Sequence, residues 1–314
     1  MAFLIDRDSI IAYRHLTTTV ILQEALDELR FQVGRAELGT EYLMRHQGRL
    51  QARLQEILSH LYELLVAPLR SALAAQRLLI VPAGPLHRLP FHALWDGANY
   101  LSATYECSYA PSASVVVMRR GQRHAKRSLH SWAGLAVHDA AIPAARAEVT
   151  EVAGYFADAR LYLDEAAGRQ GLERAAQADV LHLATHGLFR PDNPFFSALK
   201  LADGWIDVRE LYRLPLQARL VILSACESGA GQIRGGDEVV GLARGFLGAG
   251  AHEVVASLWN VHDESAVNFM DSFYRHLVCE AYERPAAALR AAQLEAATAQ
   301  QHPYYWAPFF VIGD

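Results

Sequence analysis

The stretch Arg219-Leu220-Val221-Ile222-Leu223-Ser224-Ala225-Cys226-Glu227-Ser228-Gly229 decides the fold. Its apolar run shows no polar alternation, which suits a strand covered on both faces, as in the centre of a parallel sheet. The run ends by delivering Cys226 to the strand's carboxyl edge, where open parallel sheets bind their ligands. A second stretch, Asp179-Val180-Leu181-His182-Leu183-Ala184-Thr185-His186-Gly187, behaves in the same way. It puts His186 where a buried strand leaves the sheet, followed by a glycine that permits close backbone approach.

Outward from these two strands, short apolar runs at 78–81, 105–110, 132–137, 253–259 and 309–312 read as further strands. Helical periodicity falls between them at 144–156, 168–178, 237–247, 263–277 and 285–297. Strand and helix alternating at this spacing predict an α/β fold with a mainly parallel sheet flanked by helices. Residues 3–5 and 10–15 predict an N-terminal hairpin around Asp6-Arg7-Asp8-Ser9. Leucines at three- and four-residue spacing predict helices from 18 to about 73, broken at Gly34 and Gly39 and bent or ended by Pro68. The expected organisation is an extension (1–76), an accessory α/β part (77–128) and a main α/β core (129–314), with Gly121 to Ser128 as the best linker.

Composition narrows the function classes. The chain has 314 residues, 52% hydrophobic and 20% charged, and no uninterrupted apolar run of membrane-spanning length. Disorder and membrane spanning are therefore poor readings. Charge appears within the first six residues and no cleavable leader is recognisable, so a cytoplasmic location is expected. Three cysteines, Cys107, Cys226 and Cys279, argue against a disulfide framework. A net charge of -5 supplies no global field for nucleic acid. The basic run from Arg119 to Arg127 lacks interleaved aromatics for base stacking and reads as a linker.

If the two strands are neighbours, Cys226 and His186 come within hydrogen-bonding reach. An imidazole raises the thiolate fraction of a nearby thiol and can later protonate a leaving amine, so acyl transfer is the natural reaction. Backbone N–H groups of Gly187 and Cys226 are candidates for the oxyanion hole. The bland alternative is a core thiol and a capped strand. A dinucleotide turn fails on register, because Gly229, Gly231 and Gly235 give G-x-G-x-x-x-G. Zinc fails because His182 and His186 lie on a strand rather than a helix. No cofactor and no metal are expected, and His182 reads as a buried strand residue.

Several ordered blocks carry a family resemblance: His182-Leu183-Ala184-Thr185-His186-Gly187, Leu223-Ser224-Ala225-Cys226-Glu227-Ser228-Gly229, Gly241-Leu242-Ala243-Arg244-Gly245-Phe246 and Ala256-Ser257-Leu258-Trp259. They resemble the signature blocks of the CHAT family of caspase-like cysteine peptidases, in the clan that also holds separase. The likeness extends upstream through residues 79–91 and downstream through 302–309. The resemblance implies a caspase-like core, His186 as catalytic histidine, Cys226 as nucleophile, and the Gly187 and Cys226 amides as oxyanion hole. It also implies a protein or peptide substrate and a regulatory protein partner. Many relatives carry an N-terminal tetratricopeptide array, whereas only two helices precede the domain here.

Asp263 resembles the acid that separase-type enzymes use to hold a basic residue before the scissile bond, a role that charge-assisted pairing suits. It equally suits capping a helix that begins near Glu264. Arg234, in the glycine-rich loop Ser228 to Gly236, is a candidate for self-cleavage. The competing reading from a different class is a catalytically silent CHAT-like scaffold that binds a peptide without cutting it.

Overall fold

The computed structural model describes residues 1–36, 40–120, 129–140, 142–188, 190, 193–227, 237–259, 264–280, 282, 284–299 and 302–313. The chain opens with the hairpin β1 (Ala2–Ile5) and β2 (Ile10–Tyr13). Asp6 closes its turn by accepting the backbone N–H groups of Asp8 and Ser9 at 2.8 and 2.6 Å. Those two bonds hold the Asp6 carboxyl below its ordinary value. The helices α1 (Thr19–Ala36) and α2 (Thr40–Leu65) follow and pack on each other. Leu26, Leu29 and Val33 of α1 and Leu54, Leu58 and Leu61 of α2 are buried, as their spacing requires. Contrary to expectation, α1 runs through Gly34, held by burial of Val33 and Ala36 on either side. Pro68 does end α2, within the first turn of a 3-10 segment at Ala67–Ala72.

The remaining strands are β3 (Arg77–Ile80), β4 (Glu106–Tyr109), β5 (Ser131–Ala136), β6 (Asp158–Leu163), β7 (Val180–Leu188), β8 (Ala198–Leu201), β9 (Gly204–Asp207), β10 (Leu220–Glu227), β11 (Glu253–Ser257) and β12 (Phe309–Gly313). Among the described residues they form one sheet in the order β3-β4-β12-β11-β10-β7-β5-β6, with β8 on β7 and β9 on β8. The run β11-β10-β7-β5-β6 is parallel throughout. β12 turns antiparallel against β11 and joins β3 and β4 to the same sheet. Strand residues on either face, such as Leu181 and His182 or Val221 and Ile222, are no more than 1% exposed. Burial on both faces is why β10 and β7 read as continuous apolar runs.

The other helices are α3 (Leu101–Thr104), α4 (Ala113–Arg120), α5 (Ala145–Ala153), α6 (Arg169–Ala175), α7 (Val208–Leu211), α8 (Asp237–Ala249), α9 (Glu264–Tyr274) and α10 (Pro285–Thr298). α9 packs against both α5 and α10. α8 packs against α7 through small residues: a Cβ at Gly248 would lie 2.0 Å from the Tyr212 ring, and one at Gly245 3.4 Å from Val208. Arg119, at the end of α4, donates to the carbonyls of Ala251 and His252, each at 2.7 Å. The basic run therefore begins docked on the body rather than solvated. No helix of the described residues is long and apolar enough to cross a membrane.

Candidate active site at the carboxyl edge of the sheet

Parallel pairing brings the carboxyl ends of β5, β7 and β10 to one edge. β7 and β10 both outrun their apolar segments, and their ladder pairs Cys226 with His186 and Glu227 with Gly187. The two backbones are adjacent strands, about 4.8 Å apart. β7 reaches this far because Gly187 and Leu188 also pair with β8 on the other side. The neighbour relation required between the two strands is thus met in the backbone.

His186 is 3% exposed. Its Nε2 lies 3.1 Å from Oδ2 of Asp139, which sits three residues beyond the end of β5. A carboxylate at Nε2 fixes that nitrogen as the N–H donor and leaves Nδ1 with the lone pair. Nδ1 is buried and has no hydrogen-bond partner among the described residues. An oriented imidazole with a free basic nitrogen is what a general base needs. The same Asp139 oxygen accepts from Lys200 Nζ at 2.8 Å, so its charge is balanced from β8. Thr185 ties β7 to that strand by donating to the Lys200 carbonyl at 2.6 Å. Asp139 escaped the sequence reading. The signal available was its place just past a central strand, at the same edge as His186 and Cys226.

One layer deeper, a buried polar chain links the two strands to the helices above. Trp132 Nε1 donates to the Tyr274 hydroxyl at 3.1 Å, and that hydroxyl lies 3.1 Å from His182 Nδ1. His182 Nε2 is 2.9 Å from Oε1 of Glu148, and Ser224 donates to Oε2 of the same carboxylate at 3.0 Å. Directions follow from the Trp132 end. Its N–H can only donate, so the Tyr274 hydroxyl donates to Nδ1 and His182 donates from Nε2 to Glu148. Burial pushes the Tyr274 phenol well above its ordinary value, which keeps it a donor. His182 lies four residues before His186 on β7, so the two share a sheet face. Glu148, 3% exposed, thereby fastens α5 to both strands. His182 is a buried strand residue, as expected.

Asp263 and Arg234 lie outside the described residues, as does the loop 228–236. Among the described residues no cluster has the make-up of a metal site. Cys107 and Cys279 are free thiols; burial pushes Cys107 up to about 12, whereas Cys279 is exposed.

A family model described as the CHAT domain matches residues 55–314. The curated relatives include tetratricopeptide repeat protein 28 of Mus musculus, 24% identical over 342 residues, and that of Homo sapiens, 23% identical over 343. Each alignment covers 88% of this chain, and the chain spans only 14% of the length of either relative. Among solved structures, separase in the Saccharomyces cerevisiae separase–securin complex superposes with a TM-score of 0.50 at 15% identity, covering 73% of this chain and 15% of that one. The Arg-specific cysteine proteinase gingipain R gives 0.51 at 10% identity, covering 95% and 75%. At such identities the likeness is one of fold, and the fold is caspase-like. With the matched segment spanning most of its length, the chain belongs to the CHAT domain family.

Proposed function

We propose that the chain is a cytoplasmic cysteine endopeptidase that cleaves a protein substrate after a basic residue under the control of a protein partner. The observation that carries this reading is the pairing of Cys226 with His186 in one ladder, together with the unpartnered Nδ1 of His186 and the carboxylate at its Nε2. In the proposed reaction His186 takes the thiol proton, the Cys226 sulfur attacks the peptide carbonyl, and the Gly187 and Cys226 amides hold the oxyanion. Collapse of the tetrahedral intermediate breaks the C–N bond, with His186 returning the proton to the leaving amine. Water then hydrolyses the acyl-enzyme by the same proton route. Asp139 acts as a positioning residue through His186. Asp263 selects Arg or Lys before the cut, and Arg234 is a site of self-cleavage.

The partner belongs to the same proposal: relatives far longer than this chain leave room for a sensing segment outside it. A proteomic cleavage-site profile comparing the chain with its Cys226→Ala variant tests the reading. New termini after Arg or Lys that vanish in the variant support it. Cuts after Asp overturn the role of Asp263. Binding of peptides without any Cys226-dependent cut, with the partner present, favours the silent scaffold.

A further inference from the structure

A small pocket, with a cavity volume of about 30 Å³ and open to solvent on one side, lies between α1 and the tip of β11. Leu26, Leu29, Leu258 and Trp259 supply its apolar wall, and Arg30 and Arg88 its charge. Among the described residues no carboxylate lines it. β11 pairs with β10 on the side opposite β7, up to Leu223 and Ala256, so the residues just past its end lie one strand over from the strand that carries Cys226. Trp259 is held there by its indole N–H, which donates to the Tyr304 carbonyl at 2.9 Å.

The two arginines differ. Arg30 is shared with Asp27 at 3.4 Å on its own helix. Arg88, at the end of the 3-10 segment Gly84–Arg88, is half-buried, and its side chain has no ion pair or hydrogen bond to any other described residue. A guanidinium drawn part-way out of water without an anion is an incomplete site, and a carboxylate matches its geometry. The apolar wall beside it suits the methylene stem of the same ligand side chain.

We propose that this pocket takes an acidic side chain of the peptide substrate, Glu or Asp, within about three residues of the bond cut at Cys226, the reach of an extended chain from one strand tip to the next and beyond. The inference rests on the peptidase reading for its substrate class. It also divides recognition in two: a basic residue beside the cut and an acidic one on the β11 side. The N-terminal extension thereby becomes part of the substrate site, because α1 forms one wall of the pocket.

The test uses Cys226→Ala chain and a library of decapeptides with a central Arg and randomised flanks, the bound fraction being sequenced by mass spectrometry. One charge-assisted contact predicts about tenfold enrichment of Glu and Asp at a fixed flanking position. Added Arg88→Glu should abolish that enrichment and replace it with Lys or Arg, while Arg30→Glu, at the rim, shifts it less in the same direction. Binding without acidic enrichment, enrichment that survives Arg88→Glu, or no bound peptide at all would overturn the proposal. Should acidic peptides bind yet remain uncut by the chain with Cys226 intact and its partner present, the peptidase reading fails and the pocket stands. Cleavage after basic residues with no flanking acidic preference does the reverse.

Discussion

Removing the Glu148 carboxylate tests whether the buried chain beneath the dyad strands is a fastening. In Glu148→Ala the His182 Nε2–H is left inside a fully buried environment with no acceptor, a cost of about 1–3 kcal/mol. One buried methylene is lost as well, at about 0.8 kcal/mol. Ser224, only half-buried, can turn to water and adds little. The expected loss is about 3 kcal/mol. With an unfolding entropy of about 2.1 cal/mol/K per residue, a 314-residue chain loses about 5 °C of Tm for that amount. Glu148→Gln is different, because its carbonyl can accept from His182 while its amide donates to the Ser224 hydroxyl. It should cost about 1 kcal/mol, the charge assistance alone. Thermal unfolding of both variants, repeated in a His182→Phe background, completes the cycle: with the orphaned N–H absent, Glu148→Ala should cost about 1–3 kcal/mol less. Equal losses for Gln and Ala, or a coupling below about 0.5 kcal/mol, would refute the reasoning.

Asp139→Asn should lower kcat about 10- to 100-fold with KM within twofold, since the amide no longer holds the His186 tautomer but touches no substrate; steady-state kinetics on any cleaved peptide checks it. Gly248→Ala forces a methyl to within 2.0 Å of the Tyr212 ring and should destabilise by about 1–3 kcal/mol in urea unfolding, whereas the control Gly48→Ala, inside α2 with no atom within 4 Å, should stabilise by about 0.5–1 kcal/mol. His92 is held neutral by burial, its value lowered to about 4, with His302 lowered likewise to about 4. The unfolded chain therefore binds more protons between about pH 6.5 and 4, and stability should fall through that window as pH drops, by at most about 3 kcal/mol per histidine, read from urea midpoints at pH 7.5 and 4.5.

The core of the fold was legible because β7, β10 and β11 are buried on both faces and announce themselves as apolar runs. Their exact length was not, since β7 gains its last residues by pairing with β8, a tertiary event. β6 was missed for the opposite reason: it is an edge strand, exposed over its first four residues, so no apolar run marks it. β8 and β9 are four residues each, too short for any period to show. At the site, His186 and Cys226 stood out because they end apolar strands. Asp139 and Glu148 did not, because a carboxylate after a strand or on a helix looks like any solvated one until the sheet brings it beside a histidine. Of the chain's two lysines, Lys200 proves to be paired with Asp139, which no local pattern could reveal.

The most direct measurement is covalent labelling by an arginyl chloromethyl ketone, mapped by mass spectrometry in a Cys279→Ser background so that the exposed thiol does not compete. The account predicts a single adduct on Cys226, reduced at least tenfold in His186→Ala, while Cys107 stays unmodified because its thiol is pushed up to about 12. A Cys226 that reacts no faster than Cys107, or equally fast without His186, would contradict it.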